Sequence, residues 1–279
     1  MARPGRLILM VLFLVCACGG PKHAGALTVP HPDKSSAQVE YFVKAPQGKG
    51  PWPTVVLLHG AQPLWSLSRG NGGYAFVGYG ALDQFASKGY LAVAVSLPGY
   101  GNSSGPDDFA GSFTQHAVSG VITKLKADGL ADPNRVLIEG ISLGAVTAAL
   151  IAAHDPSVAG IVLISGLYDM PVFFEHPQSL QAGLLKYQIR YVLGVDNDAL
   201  RTRSALGLAE DIKAKTLVLS GAQDDRTDPQ QARLLVDKIN SHGGVAQIHI
   251  YPEYGHQIPF DIRKDEVDTF IASVFRPTS

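Results

Sequence analysis

The chain has only two cysteines in 279 residues, and both, Cys16 and Cys18, fall within its first twenty positions. From Gly19 onward no disulfide can form, so stability must come from a packed core. Charge is also scarce. Only 17% of residues are charged, and 23 Lys and Arg against 24 Asp and Glu leave a formal net charge of −1. No basic stripe is present, which excludes a nucleic-acid partner on electrostatic grounds and favours small or neutral substrates. The His-Glu-x-x-His pattern and comparable ligand clusters are missing, so no metal is expected. The glycines of "GYGNSSG" have the wrong spacing for a dinucleotide turn and no helix follows them, so no organic cofactor is expected either. Apolar residues, by contrast, make up 46% of the chain, and the length suffices to bury one large core.

No apolar run reaches the ~20 residues needed to cross a bilayer. The longest at the start, Leu7 to Val15, follows Arg3 and Arg6 and leads into Cys16, Ala17, Cys18 and two glycines. That is the pattern of an export signal over residues 1–17. Val15-Cys16-Ala17 before Cys18 resembles the lipobox of bacterial lipoproteins. The resemblance implies lipidation of Cys18 and a protein of the bacterial cell envelope, associated with the membrane through that lipid. The plain alternative is signal cleavage and release into the periplasm or the medium.

Residues 18–38, around "VPHPDKSSA", read as a polar linker. From residue 39 to 279 short apolar runs alternate with longer amphipathic ones, which predicts an α/β domain with a mostly parallel central sheet and helices on both faces. The expected strands are "VEYFVKA", "TVVLLHG", "YLAVAVS", "RVLIEG", "AGIVLIS", "KTLVLSG" and "AQIHIY". Those in the middle are continuous Val, Ile and Leu runs, as befits strands buried on both faces. Helices are expected over 81–88, 113–127, 143–153, 229–241 and 264–275. Residues 168–211 are too many for a simple crossover and read as a short helical insertion, either a cap over the active site or a decorated connection.

Two stretches fit Gly-x-Ser-x-Gly: "GNSSG" around Ser103 and "GISLG" around Ser142. With 30 glycines in the chain the bare pattern carries little weight, and the flanks decide. "GISLG" follows the strand "RVLIEG" and opens "AVTAALIAAH", a helix of small residues. Ser142 therefore sits at the apex of a strand–turn–helix, where Gly140 and Gly144 are needed because side chains would collide with the turn. The start of the helix aims the N–H of Leu143 at a reacting oxygen. "GNSSG" instead runs into Gly105-Pro106-Asp107-Asp108, which cannot begin a helix. Ser103 is thus expected to be a loop residue.

A serine hydroxyl needs a base oriented by a carboxylate, and in this topology the chain order is Ser, acid, His. His256, in the loop "PEYGHQIP" beyond the last strand, is the expected base, whereas His249 within that strand and His59 in "LLHG" read as structural. Asp224 in "AQDDRTDP" is the first choice of acid, then Asp225, then Asp169. A second oxyanion donor is expected just after "HG", at the N–H of Ala61. The loop 61–80, rich in glycine and aromatics, reads as a pocket wall or a surface loop.

With these residues in place the sequence resembles an α/β-hydrolase: "LLHG", "SLPGYGNSSGP", "GISLG", "GAQDDRTDP" and "YGH" occur in order along nearly all of the chain after the signal. That fold places the short helical insertion after its sixth strand. "GAQDDR", an amphipathic helix and then "YPEYGH" are similar to the catalytic domain of the prolyl oligopeptidase family. The likeness implies Asp224 as the triad acid and Arg226 as a contact to a substrate carbonyl. Two departures stand against it. Leu143 follows the serine where those peptidases carry an aromatic residue or Asn, which leans toward dienelactone-hydrolase-like or carboxylesterase enzymes, and no propeller domain is expected. The resulting expectation is a serine hydrolase for a small-molecule ester or short peptide, with ester hydrolysis narrowly ahead of peptide hydrolysis. A non-catalytic, lipid-anchored binding protein is the expectation from another class.

Overall fold

Runs of Val, Ile, Leu and Ala make strands in the middle of the sheet because both of its faces are covered. The computed structural model describes residues 23–62, 67–194 and 196–276, so the export signal expected over residues 1–17 and the expected lipidation site Cys18 lie outside the described residues. The strands are β1 (Leu27–His31), β2 (Lys34–Lys44), β3 (Trp52–Leu58), β4 (Leu91–Val95), β5 (Ala131–Ile141), β6 (Val158–Ile164), β7 (Lys215–Gly221) and β8 (Ala246–Tyr251). They form one sheet in the order β1-β2-β4-β3-β5-β6-β7-β8. β1 with β2 and β2 with β4 are antiparallel, and every later pairing is parallel.

The helices are α1 (Tyr74–Gly78), α2 (Ala81–Ser87), α3 (Ser112–Ala127), α4 (Leu143–His154), α5 (Met170–Glu175), α6 (Leu180–Leu193), α7 (Asn197–Arg201), α8 (Pro229–Ser241) and α9 (Phe260–Phe275). α3, α4 and α8 bury their apolar residues on one face of the sheet, and α1, α2 and α9 cover the other. This is the α/β-hydrolase architecture.

One boundary differs from the expectation. The segment read as a linker over 18–38 carries β1 and the start of β2, so the sheet begins at Leu27 rather than at residue 39. β1 is a five-residue edge strand containing Pro30, and an edge is where a strand tolerates proline. Its inward residues are Val29 and His31. His31 stacks on Phe113 at 3.6 Å and bonds through Nε2 to the Phe113 carbonyl at 2.8 Å, which ties the hairpin to α3.

The insertion falls within the expected 168–211 and follows the sixth strand. It comprises α5, α6, α7 and a 3₁₀ turn over Ala205–Asp211. Asp169, Ser179 and Asp196 cap the three helices by accepting the N–H groups of Val172, Ala182 and Asp198. Ala182, Ile189 and Leu200 face inward, whereas Leu180, Leu184, Tyr187 and Tyr191 form an exposed stripe along α6.

Candidate active site

The approach of β5 to α4 dictates the conformation of Ser142. Its φ is +53°, a region that non-glycine residues rarely occupy and that costs about 1–3 kcal/mol. The flanking glycines make the turn possible. A Cβ on Gly140 would lie 2.1 Å from the Gly144 carbonyl oxygen, and one on Gly144 would lie 2.2 Å from that of Leu58. The Ser142 N–H donates to the Ile164 carbonyl at 2.7 Å, which fixes the turn to β6. α4 then runs into the core, with all residues from Leu143 to Ala152 buried. The N–H of Leu143, in the first turn of α4, has no backbone partner among the described residues.

β3 lies beside β5 in the sheet, with Leu58 opposite Gly140. The chain leaving β3 therefore passes over the elbow. A Cβ on Gly60 would come 3.3 Å from Ser142 Cβ, and Ala61 follows directly. His59 sets this path. It is buried, its Nδ1 bonds the Gly60 carbonyl at 2.9 Å, and its Nε2 accepts the Leu97 N–H at 3.1 Å. Burial, outweighing the Gly60 bond, pushes its pKa down to about 4, so it is a neutral structural clamp at pH 7.

The acid and the base arrive on the loops after β7 and β8. A Cβ on Gly221 would sit 2.2 Å from the carbonyl oxygens of Tyr254 and Gly255, so glycine at the end of β7 lets the two loops touch. The Gln223 N–H then donates to the Tyr254 carbonyl at 2.9 Å. His256 Nε2 comes to 3.1 Å from Ser142 Oγ, and its Nδ1 to 2.9 Å from Asp224 Oδ2. Asp224 Oδ1 accepts the N–H groups of Arg226 and Thr227 at 2.9 and 3.0 Å. Burial alone would raise the Asp224 carboxyl. The hydrogen bond and charge of His256, with the two backbone donors, outweigh it and hold the carboxyl below its usual range. A hydroxyl aligned with an imidazole whose far nitrogen faces a buried carboxylate is the geometry that strips a proton from the hydroxyl.

The alternatives are occupied elsewhere. Asp169 caps α5. Asp225 is exposed, and its backbone carbonyl accepts the Ser179 hydroxyl. His249 pairs with Glu266 at 2.7 Å and stacks on Tyr251. Ser103 is buried between β2 and the end of β4, accepting the Glu40 N–H and donating to the Ser96 carbonyl. Arg226 is exposed and lines a small cleft of about 80 Å³ with His176, Ala182 and Asp225.

Two features escape the sequence reading. Thr227 donates its hydroxyl to Asp224 Oδ2 at 2.8 Å, completing the set of donors around the acid. Its signal was present, a hydroxyl residue three positions after Asp in a turn. α6 is bonded to loops on both sides of the site: Ser179 at its N-cap reaches the Asp225 carbonyl, and Gln188 reaches that of Gln62 at 3.4 Å. Residues so far apart in sequence give no local sign of this.

The fold is that of the α/β-hydrolases, and the site sets a serine, a histidine and an aspartate in one hydrogen-bonded row. The family model of the prolyl oligopeptidase family matches residues 82–273, and the chain belongs to that family. Over 227 residues it is 22% identical to the uncharacterized peptidase YuxL of Bacillus subtilis (strain 168), an alignment that covers 76% of this chain and 32% of that protein. The chain thus spans about a third of the length of that relative. A solved puromycin hydrolase shares the fold at TM-score 0.71 and 19% identity, covering 90% of this chain and 39% of that one. An acetyl xylan esterase from Paenibacillus sp. R4 shares it at TM-score 0.67 and 17% identity, covering 89% of this chain and 83% of that one.

Proposed function

We propose that the chain hydrolyses carboxylic esters or amides of small molecules through an acyl-enzyme on Ser142, with esters the preferred substrates. The observation that carries this reading is the continuous chain from Ser142 Oγ to His256 at 3.1 Å and on to Asp224 at 2.9 Å. His256 takes the hydroxyl proton as Ser142 attacks the carbonyl carbon, then gives it to the leaving alcohol or amine. Asp224 holds the imidazole with Nδ1 protonated and balances its charge. The N–H groups of Leu143 and Ala61 stabilise the oxyanion, the first aided by the α4 dipole. Water then repeats the sequence on the acyl-enzyme, with His256 again as base.

Hydrolysis of short peptides is the second reading, supported by membership of a peptidase family and by Arg226, free of ion pairs among the described residues and available to a substrate carbonyl. α6, tethered at both sides of the site, acts in either case as a cap over it. Export and lipidation of Cys18 belong to the same proposal and are tested by mass spectrometry of the mature N-terminus.

The deciding experiment measures hydrolysis of short-chain p-nitrophenyl esters beside aminoacyl and prolyl p-nitroanilides, with wild type and Ser142→Ala in parallel. Ester turnover lost in the variant is the expected result. Anilide turnover transfers the reading to a peptidase. Silence on both, with no labelling of Ser142 by a fluorophosphonate, would sink the catalytic assignment.

A further inference from the structure

The sheet face under α1, α2 and α9 contains a cavity of about 390 Å³ that the proposed reaction does not use. Ser142, Asp224 and His256 are not among its lining residues. Side chains alternate along β5, so Leu137, Glu139 and Ile141 point toward this face while Val136 and Ile138 enter the opposite core. Most of the wall is apolar, built by Leu57, Phe76, Phe85, Ile141 and Phe260.

Among the polar groups in that wall, two buried oxygens are without a partner. The Glu139 side chain is 3% exposed. Its Oε1 accepts from Arg263 Nη1 at 2.8 Å, but its Oε2 has no partner. Gln84 Oε1, on the α2 side of the same cavity, is also buried without a partner. Arg263 is held from elsewhere, by the Ile258 carbonyl at 3.4 Å and by the Phe260 ring, 5.4 Å from its guanidinium carbon. A buried carboxylate oxygen left unanswered is costly, and buried acceptors are ordinarily satisfied. Such an acceptor is ordinarily answered by a bound water or by a ligand. Arg263 engages only Oε1 of the Glu139 carboxylate, and an ionised donor makes the stronger hydrogen bond to the oxygen that remains.

We propose that this cavity binds a small primary ammonium carrying an alkyl or aryl body. Its N–H groups donate to Glu139 Oε2 and Gln84 Oε1, and its carbon skeleton packs among the aromatic side chains of α1, α2 and α9. The volume lies within the range of ordinary small-ligand pockets. The site backs onto the catalytic one, since Ile141 immediately precedes Ser142 and Phe260 opens the helix that follows the His256 loop. It does not depend on what Ser142 acts upon.

Calorimetric titration with 2-phenylethylammonium, 2-phenylethanol and ethylbenzene tests it, on wild type, Ser142→Ala, Glu139→Gln and Gln84→Leu. Saturable binding of the ammonium is expected, unchanged in Ser142→Ala, about tenfold or more weaker in Glu139→Gln and several-fold weaker in Gln84→Leu. Ethylbenzene should bind at least tenfold more weakly than the ammonium, with the alcohol between them. Absence of saturable binding, meaning that water alone fills the cavity, would overturn the proposal. So would equal affinity for ethylbenzene, or loss of binding in Ser142→Ala, which would move the ligand to the catalytic centre. If Glu139→Gln proves too unstable to titrate, Gln84→Leu decides alone, and unchanged affinity in it overturns the assignment.

Discussion

Ser103 and Ser142 share a five-residue pattern and differ in how their hydroxyls are employed. Ser103 Oγ is fully used inside the protein, joining β2 to the end of β4. Ser142 Oγ has His256 as its partner and is otherwise directed at the site. Ser103→Ala should therefore cost about 1–3 kcal/mol in urea unfolding, because it strands a buried N–H and a buried carbonyl, while turnover stays within a few-fold of wild type. At Asp224 the expected effect is the reverse. Asp224→Asn keeps the shape and the turn but removes the charge that holds Nδ1 protonated. The kcat for the best ester should drop by about 10³–10⁴-fold, with the thermal transition little changed.

At the scale of elements, α4 and α6 have opposite tasks. α4 is built of small and apolar residues because it is enclosed on all sides, and Gly144 lets its first turn pass against the end of β3. α6 buries only Ala182 and Ile189 and is located by polar tethers instead. Cutting one of them, in Gln188→Ala, should raise KM several-fold for esters with a long acyl chain and leave short esters nearly untouched. Steady-state kinetics on a chain-length series measures this, and an equal effect on both would remove α6 from substrate binding. The sequence identified α4 almost to the residue because strand, turn and helix are contiguous there. The insertion was legible only as an interval, since its contacts join residues such as Gln62 and Gln188.

At the scale of the whole molecule, stability is coupled to pH through a buried histidine outside the Ser142–His256–Asp224 row. His59 titrates near 4 when folded and near 6.5 in its ordinary state. Between those values the unfolded chain binds a proton that the folded chain refuses, so stability is lost as the pH falls through that window, on the order of 3 kcal/mol in all. Urea unfolding across the window should show this slope in wild type and a shallower one in His59→Gln. Seven of the eight strands were legible because they are runs of apolar residues in a doubly covered sheet. β1 was not, being short, half exposed and interrupted by Pro30. The loops that bring Asp224 and His256 to Ser142 could be read because each follows a strand closely. The ammonium cavity could not, because Glu139 and Arg263 are far apart in the chain and α9 begins at Phe260, four residues before the apolar pattern suggests. A charged residue within "RVLIEG", a strand expected to be buried, was the one visible clue.

The placement of the reacting groups across the sheet has a consequence for how the molecule fails. The hydroxyl stands on an interior strand and an enclosed helix, whereas the imidazole follows β8, the outermost strand, with alternate residues open to solvent. Fraying at that margin would carry away the proton acceptor while the nucleophile stayed seated in an intact core. The molecule would fall chemically silent before it came apart.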